Sequence, residues 1–297
     1  MNRMRLWRAG RYSLPLGEKT YIMAIVNVTP DSFSDGGKYF SAEQAIRRAL
    51  DAQEQGADII DIGAQSTRPG FSPISAEEEE EEAARLVPVL EGLRGRLHVP
   101  VSIDTFYPGV ALESLRLGAD ILNDVTGFSD PEMIAAAAGA DCGCIVMHNT
   151  AFSILPDAPS HDAGHEAEPI TERVRGFFDR RGAELVRAGI AVERICFDPG
   201  IGFGKTLEEN MGLLANTHLL TDGLDSAFLM AASRKRVIGA PCGDPPFEQR
   251  MPGTIAAHTI AQCGGADILR VHDVPEAVQA ARVADALLAQ RRISHGV

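Results

Sequence analysis

Short apolar runs rich in Val, Ile and Leu recur along the chain, and a longer stretch of helical period follows each one. The runs are YIMAIVNV (21–28), ADIIDIG (57–63), VPVSIDT (99–105), ADILNDV (119–125), CGCIVMH (142–148), RICFDPG (194–200), AFLMAAS (227–233) and ADILRVH (266–272), eight in all. Continuous apolar residues, rather than alternating ones, suit parallel strands covered on both faces. Between the runs, Ser41 is placed to cap a helix over 41–55, and Ser75 with Glu78 makes a capping-box pattern for a helix over 75–93. The glutamate run 77–82 fits a solvated first turn of that second helix, where the helix dipole favours acids. Eight strand–helix units in 297 residues predict a single (β/α)8 TIM barrel, an α/β fold whose active site lies at the C-terminal face of the strands. An open doubly wound sheet would need a GxGxxG turn after the first strand, and none is there. One domain is expected over 1–297, with 1–20 as an N-terminal extension. The extension has several arginines but lacks a signal peptide's apolar centre, so it is expected to lie as a short strand or tail against the body. Residues 150–169 read as a long loop after the fifth strand.

Composition narrows the partners. With 28 Lys plus Arg against 41 Asp plus Glu, the formal charge is −13, which argues against a nucleic-acid or anionic-membrane surface. A local basic pocket for a phosphorylated small molecule is still compatible with it. The 5 cysteines form no CxxC pair and are expected to be reduced thiols of a cytoplasmic protein.

The chemistry gathers at the strand ends. Asn27, Asp61, Asp104, Asn123 with Asp124, His148, Asp198, the 233–235 segment and the 270–273 segment all sit at the C-terminal ends of apolar runs. One such residue alone is explained by capping a helix, but carboxylates so close to a core are costly unless something pairs with them. Asp61 is expected to be structural, positioning the loop that follows it. Between the first strand and its helix lies NVTPDSFSDGG (27–37), too short, polar and turn-prone to carry a core. Two motifs carry less than they suggest. GIGFGKT (200–206) resembles a phosphate loop, but GxxxxGK[ST] would need glycine where Pro199 stands. His148 has no His or Cys partner at metal-ligand spacing, with His161 and His165 in the long loop.

Taken together, NVTPDSFSDGG, STRPG (66–70), SIDT (102–105), NDV (123–125), DPGIGFGK (198–205), SRK (233–235) and RVHDV (270–274) closely resemble the dihydropteroate synthase family, in family order from about Tyr21 to the last helix. The resemblance implies a transferase of folate biosynthesis, a target of sulfonamides, commonly a homodimer. It implies that (7,8-dihydropterin-6-yl)methyl diphosphate condenses with 4-aminobenzoate, with the help of Mg²⁺, to give 7,8-dihydropteroate and pyrophosphate. It assigns the pterin to Asp104, Asn123, Met147, Asp198, Phe203 and Lys235, whose carboxylates suit a heterocycle's donor edge. The diphosphate falls to Asn27, Thr67, Arg68, Arg270 and His272, with Asn27 also reaching the metal. Phe33, Arg68, Pro69, Lys205 and Ser233 would line the aminobenzoate pocket. Asp31, Ser32 and Asp35 would belong to a lid that keeps water from a reactive pterin cation. Asp104, Asp198, Lys235, Arg270 and His272 would carry the catalysis, by dissociative (SN1-like) loss of pyrophosphate.

This chain departs from the family pattern in two places. MHNT (147–150) stands where the family shows MHM, and GAQ (63–65) precedes STRPG where glycine–glutamate is common. Both bear on aminobenzoate and sulfonamide binding more than on the reaction. A corrinoid-linked pterin methyltransferase on the same barrel would share the Asp/Asn pocket but has no use for STRPG, RVH or a diphosphate lid. A non-catalytic pterin-binding scaffold is opposed by intact Asn27, Arg68, Lys235, Arg270 and His272.

Overall fold

The computed structural model describes residues 5–28, 37–64, 76–151 and 160–295. Ten strands and ten α-helices appear among them. A hairpin of β1 (Leu6–Ala9) and β2 (Tyr12–Pro15) comes first, then β3 (Tyr21–Asn27), α1 (Gly37–Glu54), β4 (Ile59–Gly63), α2 (Ala76–Leu93), β5 (Val101–Asp104) and α3 (Pro108–Arg116). Next come β6 (Ile121–Asp124), α4 (Pro131–Ala138), β7 (Gly143–Met147), α5 (Ile170–Arg187), β8 (Ile195–Asp198), α6 (Leu207–Ala215) and α7 (Thr217–Thr221). The chain continues through β9 (Ala227–Met230), α8 (Arg236–Gly239), α9 (Met251–Cys263), β10 (Ile268–Val271) and α10 (Val274–His295). Strands β3 to β10 pair in parallel and close, β10 against β3, into the predicted eight-stranded barrel. No helix among the described residues is long and apolar enough to cross a membrane.

Side chains alternate across each strand. Ile22, Ala24 and Val26 of β3 pack outward with the helix faces, whereas Tyr21 and Met23 join the inner cluster. That inner cluster is an apolar floor of Met23, Ile59, Ile121, Ile145, Cys196, Leu229 and Ile268, among others. Two residues further along the same inward faces the chemistry changes. Ile59 gives way to Asp61, Ile121 to Asn123, Cys196 to Asp198 and Ile268 to Arg270. The barrel is thus dry at one end and polar at the other, as residue parity alone requires.

The floor is closed from below by the N-terminal hairpin. Trp7 is 0% exposed, packs in the inner cluster and donates its indole N–H to the Arg194 carbonyl at 3.1 Å. Gly143 leaves room for it, since an added Cβ would lie 3.2 Å from the Trp7 ring and from the Arg8 carbonyl. Trp7→Ala is expected to cost about 3–5 kcal/mol of stability, measured by urea unfolding, because the plug has no neighbour able to refill its volume.

Two expectations are corrected. Helix α1 begins at Gly37, not after Ser41, because nothing in the intervening Lys–Tyr–Phe opposes a helix. The glutamates of α2 are not merely a solvated turn. Glu79 accepts the Gly109 N–H at 2.9 Å at the start of α3, Glu78 lies 3.4 Å from the Tyr107 hydroxyl, and Glu82 is 0% exposed. Burial pushes the Glu82 carboxyl up to about 8. The run docks α2 onto the loop after β5. Ser75, the other half of the expected capping box, lies outside the described residues.

Candidate active site

Arg270, from the last barrel strand, is the hub of the polar mouth. Its Nε donates to Asp61 Oδ2 at 2.7 Å, and the same η-nitrogen reaches Asp61 at 2.6 Å and Asp104 at 2.7 Å. Asn123 on β6 directs its amide nitrogen to both Asp61 oxygens at 3.3 and 3.4 Å. Asp61, expected from sequence to position the loop that follows it, is a fully buried bridge between Arg270 and Asn123; that loop lies outside the described residues. A carboxylate inside a barrel must find cationic or amide donors, and the closest are on other strands. Burial works against the Arg270 charge, yet Asp61 and Asp104 outweigh it and hold the guanidinium above its ordinary value. Burial pushes the Asp104 carboxyl up to about 7, opposed by Arg270 and reinforced by Asp61.

Opposite stand Asp198 and Lys235. Asp198 on β8 accepts the Gly200 N–H at 2.7 Å through one oxygen; the other has no partner among the described residues. Burial raises its pKa while Lys235 pulls it down. The Lys235 ammonium donates to the Ile201 carbonyl at 2.6 Å and lies 5.0 Å from the Phe203 ring centroid. Burial lowers it to about 8, against the stabilising charge of Asp198. Met147 faces the same mouth, in register with Asp198 across β7 and β8, and is buried.

The loop after β8 is set by close approach rather than by phosphate binding. Gly200 has φ +68, and a Cβ there would fall 1.9 Å from the His148 carbonyl oxygen, so only glycine fits. Lys205 donates to the carbonyls of His148, Gly200 and Phe203 at 3.0, 2.9 and 3.2 Å. Those three bonds occupy its hydrogens, so Lys205 clamps the loop against the end of β7 instead of offering its ammonium to the aminobenzoate pocket. Burial lowers it to about 7.

Ser233 and His272 meet at the rim, Oγ to Nδ1 at 3.0 Å, and burial followed by Arg270 lowers the imidazole to about 4. Asn27 ends β3 and is exposed. Asp124, next to Asn123 but facing outward, accepts from the N–H groups of Thr126 and Phe128 at 2.7 and 2.9 Å and shapes the loop after β6. Asp31, Ser32, Phe33, Asp35, Thr67, Arg68 and Pro69 lie outside the described residues.

The long loop after β7 is tied down in its described part. His148 bonds Asp162 at 2.7 Å, Asp162 pairs with Arg173 at 2.5 Å, and Arg173 pairs also with Glu209. Asn149, the departure from methionine, bonds the Val125 carbonyl at 2.9 Å and accepts the Ala151 N–H at 2.8 Å. Its backbone N–H meets His161 Nδ1 at 2.9 Å, and His161 stacks on Phe177 at 4.3 Å. Asn149 thus joins this loop to the one that follows β6, two residues beyond Asn123. Asp61 and Asn149 are the functional positions whose partners sequence reasoning missed; a lone aspartate in an apolar strand was the available signal.

The mouth therefore offers two carboxylate acceptors with free lone pairs, an amide, a lysine and an arginine at one end of the barrel. Such a set suits a flat heterocycle with a donor edge and a neighbouring anion. A sequence profile described as "Pterin binding enzyme" matches residues 23–272. The chain is 40% identical to the dihydropteroate synthase of Bacillus subtilis over 289 residues, covering 96% of this chain and 94% of the relative. The dihydropteroate synthase of Xanthomonas albilineans, solved with 4-aminobenzoic acid, superposes with a TM-score of 0.84 at 38% identity, covering 96% and 99% of the two chains. The Burkholderia cenocepacia dihydropteroate synthase, complexed with 7,8-dihydropteroate, gives 0.82 at 36% identity, covering 97% and 98%.

Proposed function

Since the chain belongs to the dihydropteroate synthase family, transferases of folate synthesis, we propose that it joins (7,8-dihydropterin-6-yl)methyl diphosphate to 4-aminobenzoate, releasing pyrophosphate and 7,8-dihydropteroate. The observation that carries this reading is the Arg270 bridge between Asp61 and Asp104, beside Asn123 and across from Asp198. It sets carboxylate acceptors and a cation side by side at one barrel mouth.

Asp198 would accept the pterin's donor edge through its free oxygen, with Asn123 pairing beside it and Lys235 donating to a ring acceptor. Met147 and Phe203 would face the ring. Arg270 keeps one η-nitrogen without a partner among the described residues, available to a phosphate oxygen while the others hold Asp61 and Asp104. His272, neutral at the rim, would donate to the same anion. Among the described residues no group of three or more His, Cys, Asp or Glu could hold a metal. The exposed carboxamide oxygen of Asn27 suits Mg²⁺, which takes one or two protein oxygens together with substrate phosphates. When bound, the ion would neutralise charge on the leaving group.

The methylene–oxygen bond breaks first in this scheme, and its electron pair leaves with pyrophosphate. Asp104 and Asp198 stabilise the resulting pterin cation. One unit charge near ~4 Å at an effective dielectric of ~20 is worth about 4 kcal/mol, roughly a thousandfold in rate. The aminobenzoate amine then attacks and sheds a proton; already nucleophilic, it needs no strong base. Thr67, Arg68, Pro69 and Phe33 keep their family roles in this reading, as does the lid of Asp31, Ser32 and Asp35. A homodimer belongs to it too, supported by exposed Ile260, Val283 and Leu287 along α9 and α10.

Asp104 must be ionised and Lys235 protonated for this chemistry. The kcat/KM profile is therefore expected to fall below about 7, where Asp104 gains a proton, and above about 8, where Lys235 loses one. Lys235→Arg should move only the alkaline limb upward; a flat profile would speak against both roles. The direct test is to incubate the protein with Mg²⁺ and both substrates. Equal amounts of pyrophosphate and dihydropteroate are expected, and pterin binding without product would overturn the assignment.

A further inference from the structure

Three side chains spaced four residues apart, at the N-cap of α9 and along it, grip the main chain that carries Ser233 and Lys235. Arg250 donates from an η-nitrogen to the Arg234 carbonyl at 3.2 Å. Thr254 gives its hydroxyl proton to the Arg250 carbonyl at 2.9 Å, which leaves its oxygen to accept the Arg234 N–H at 2.9 Å. His258 Nε2 accepts the Ala232 N–H at 3.2 Å. Thr254 and His258 are each only 2% exposed. Because Nε2 accepts, the ring proton sits on Nδ1, which is buried and has no hydrogen-bond partner.

That orphan donor shows what the histidine is for. Leaving a buried N–H unsatisfied costs ~1–3 kcal/mol, which a residue needed only for packing would avoid by being apolar. The turn it holds is closed by one bond of its own, from the Lys235 N–H to the Ala232 carbonyl at 3.2 Å, and it is strained. Arg234 lies at φ +58, an unfavourable left-handed conformation for a residue with a Cβ. The flanking residues reach the mouth from this strained point: Ser233 Oγ meets His272, and the Lys235 ammonium meets the Ile201 carbonyl. A small shift of the turn would break both contacts.

We propose that His258, together with Thr254 and Arg250, is a positioning residue that fixes the 232–235 turn and thereby holds the Lys235 ammonium and the Ser233 hydroxyl at the active-site mouth. Its effect on turnover rests on the reaction proposed above; its effect on Lys235 does not.

The test compares wild type with His258→Leu, which fills similar space but cannot accept, and His258→Gln, which can. The rate at which an amine-acylating reagent labels Lys235 in the folded protein, followed by mass spectrometry, reports the position of the ammonium without requiring turnover. In His258→Leu that rate is expected to change at least ~5-fold and KM for the pterin diphosphate to rise ~10-fold, and His258→Gln should return both to within ~2-fold. A leucine variant with a lowered melting temperature but wild-type labelling and kinetics would overturn the proposal. If it does not fold, Thr254→Val breaks the neighbouring rung and is read the same way. Absence of product from the wild type would count against the reaction alone, since labelling still decides the positioning role.

Discussion

Arg270→Ala is expected to lower kcat/KM for the pterin diphosphate by at least ~100-fold, because in the proposed reaction it removes a cation from the leaving group, and in the structure it removes a counter-ion from two carboxylates. The second loss compounds the first. Without Arg270, fully buried Asp61 and mostly buried Asp104 face each other with Asn123 as their one side-chain donor among the described residues, and at least one must take up a proton. Asp104 would then no longer stabilise a pterin cation at neutral pH. Arg270→Lys should recover only part of the activity, since a single ammonium cannot reproduce the guanidinium fork that meets both carboxylates. Single-turnover pyrophosphate release measures the effect, and a wild-type rate in the alanine variant would mean that the anion binds elsewhere.

Asp61→Ala should be nearly as damaging although no substrate atom need touch it. It strips Arg270 and Asn123 of their common partner and leaves a guanidinium, 18% exposed, paired among the described residues with Asp104 alone. Breaking a buried pair costs about 3–5 kcal/mol, and the residual solvent contact of Arg270 places the expected loss near the lower figure. Urea unfolding would read that loss. Turnover should fall by roughly as much as in Arg270→Ala, because the freed guanidinium would draw Asp104 away from the pterin and Asn123 would lose its orientation. Asp61→Asn keeps the shape but not the charge and should lie between. A stable, fully active Asp61→Ala would show that the bridge is dispensable.

Much of this was legible in the chain. The eight apolar runs are the eight barrel strands, since continuous burial leaves little choice of period, and the inward parity of Asp104, Asn123, Asp198 and Arg270 follows from their spacing to apolar neighbours on the same strand. What could not be read were pairings whose partners are far apart in sequence. Asp61 and Arg270 are 209 residues apart, so nothing local marks the aspartate as a bridge. Lys205 follows a glycine-rich stretch that resembles an anion loop, and only the fold reveals three carbonyls converging on its ammonium. Glu82 lies within six consecutive glutamates, where composition suggests solvent, yet its turn of α2 faces the loop after β5. His258 sits in an alanine-rich helix with no motif around it. In each case the chemistry of the side chain was visible and its partner was not.

The convergence of these strands on one ligand is tested most directly by a crystal structure of the protein with bound 7,8-dihydropteroate. The pterin's donor edge should meet the free oxygen of Asp198 within hydrogen-bond distance, with Asn123 beside it and Lys235 on a ring acceptor. A pterin bound away from Asp198, with Arg270 still locked between Asp61 and Asp104 on a surface the ligand never approaches, would contradict it.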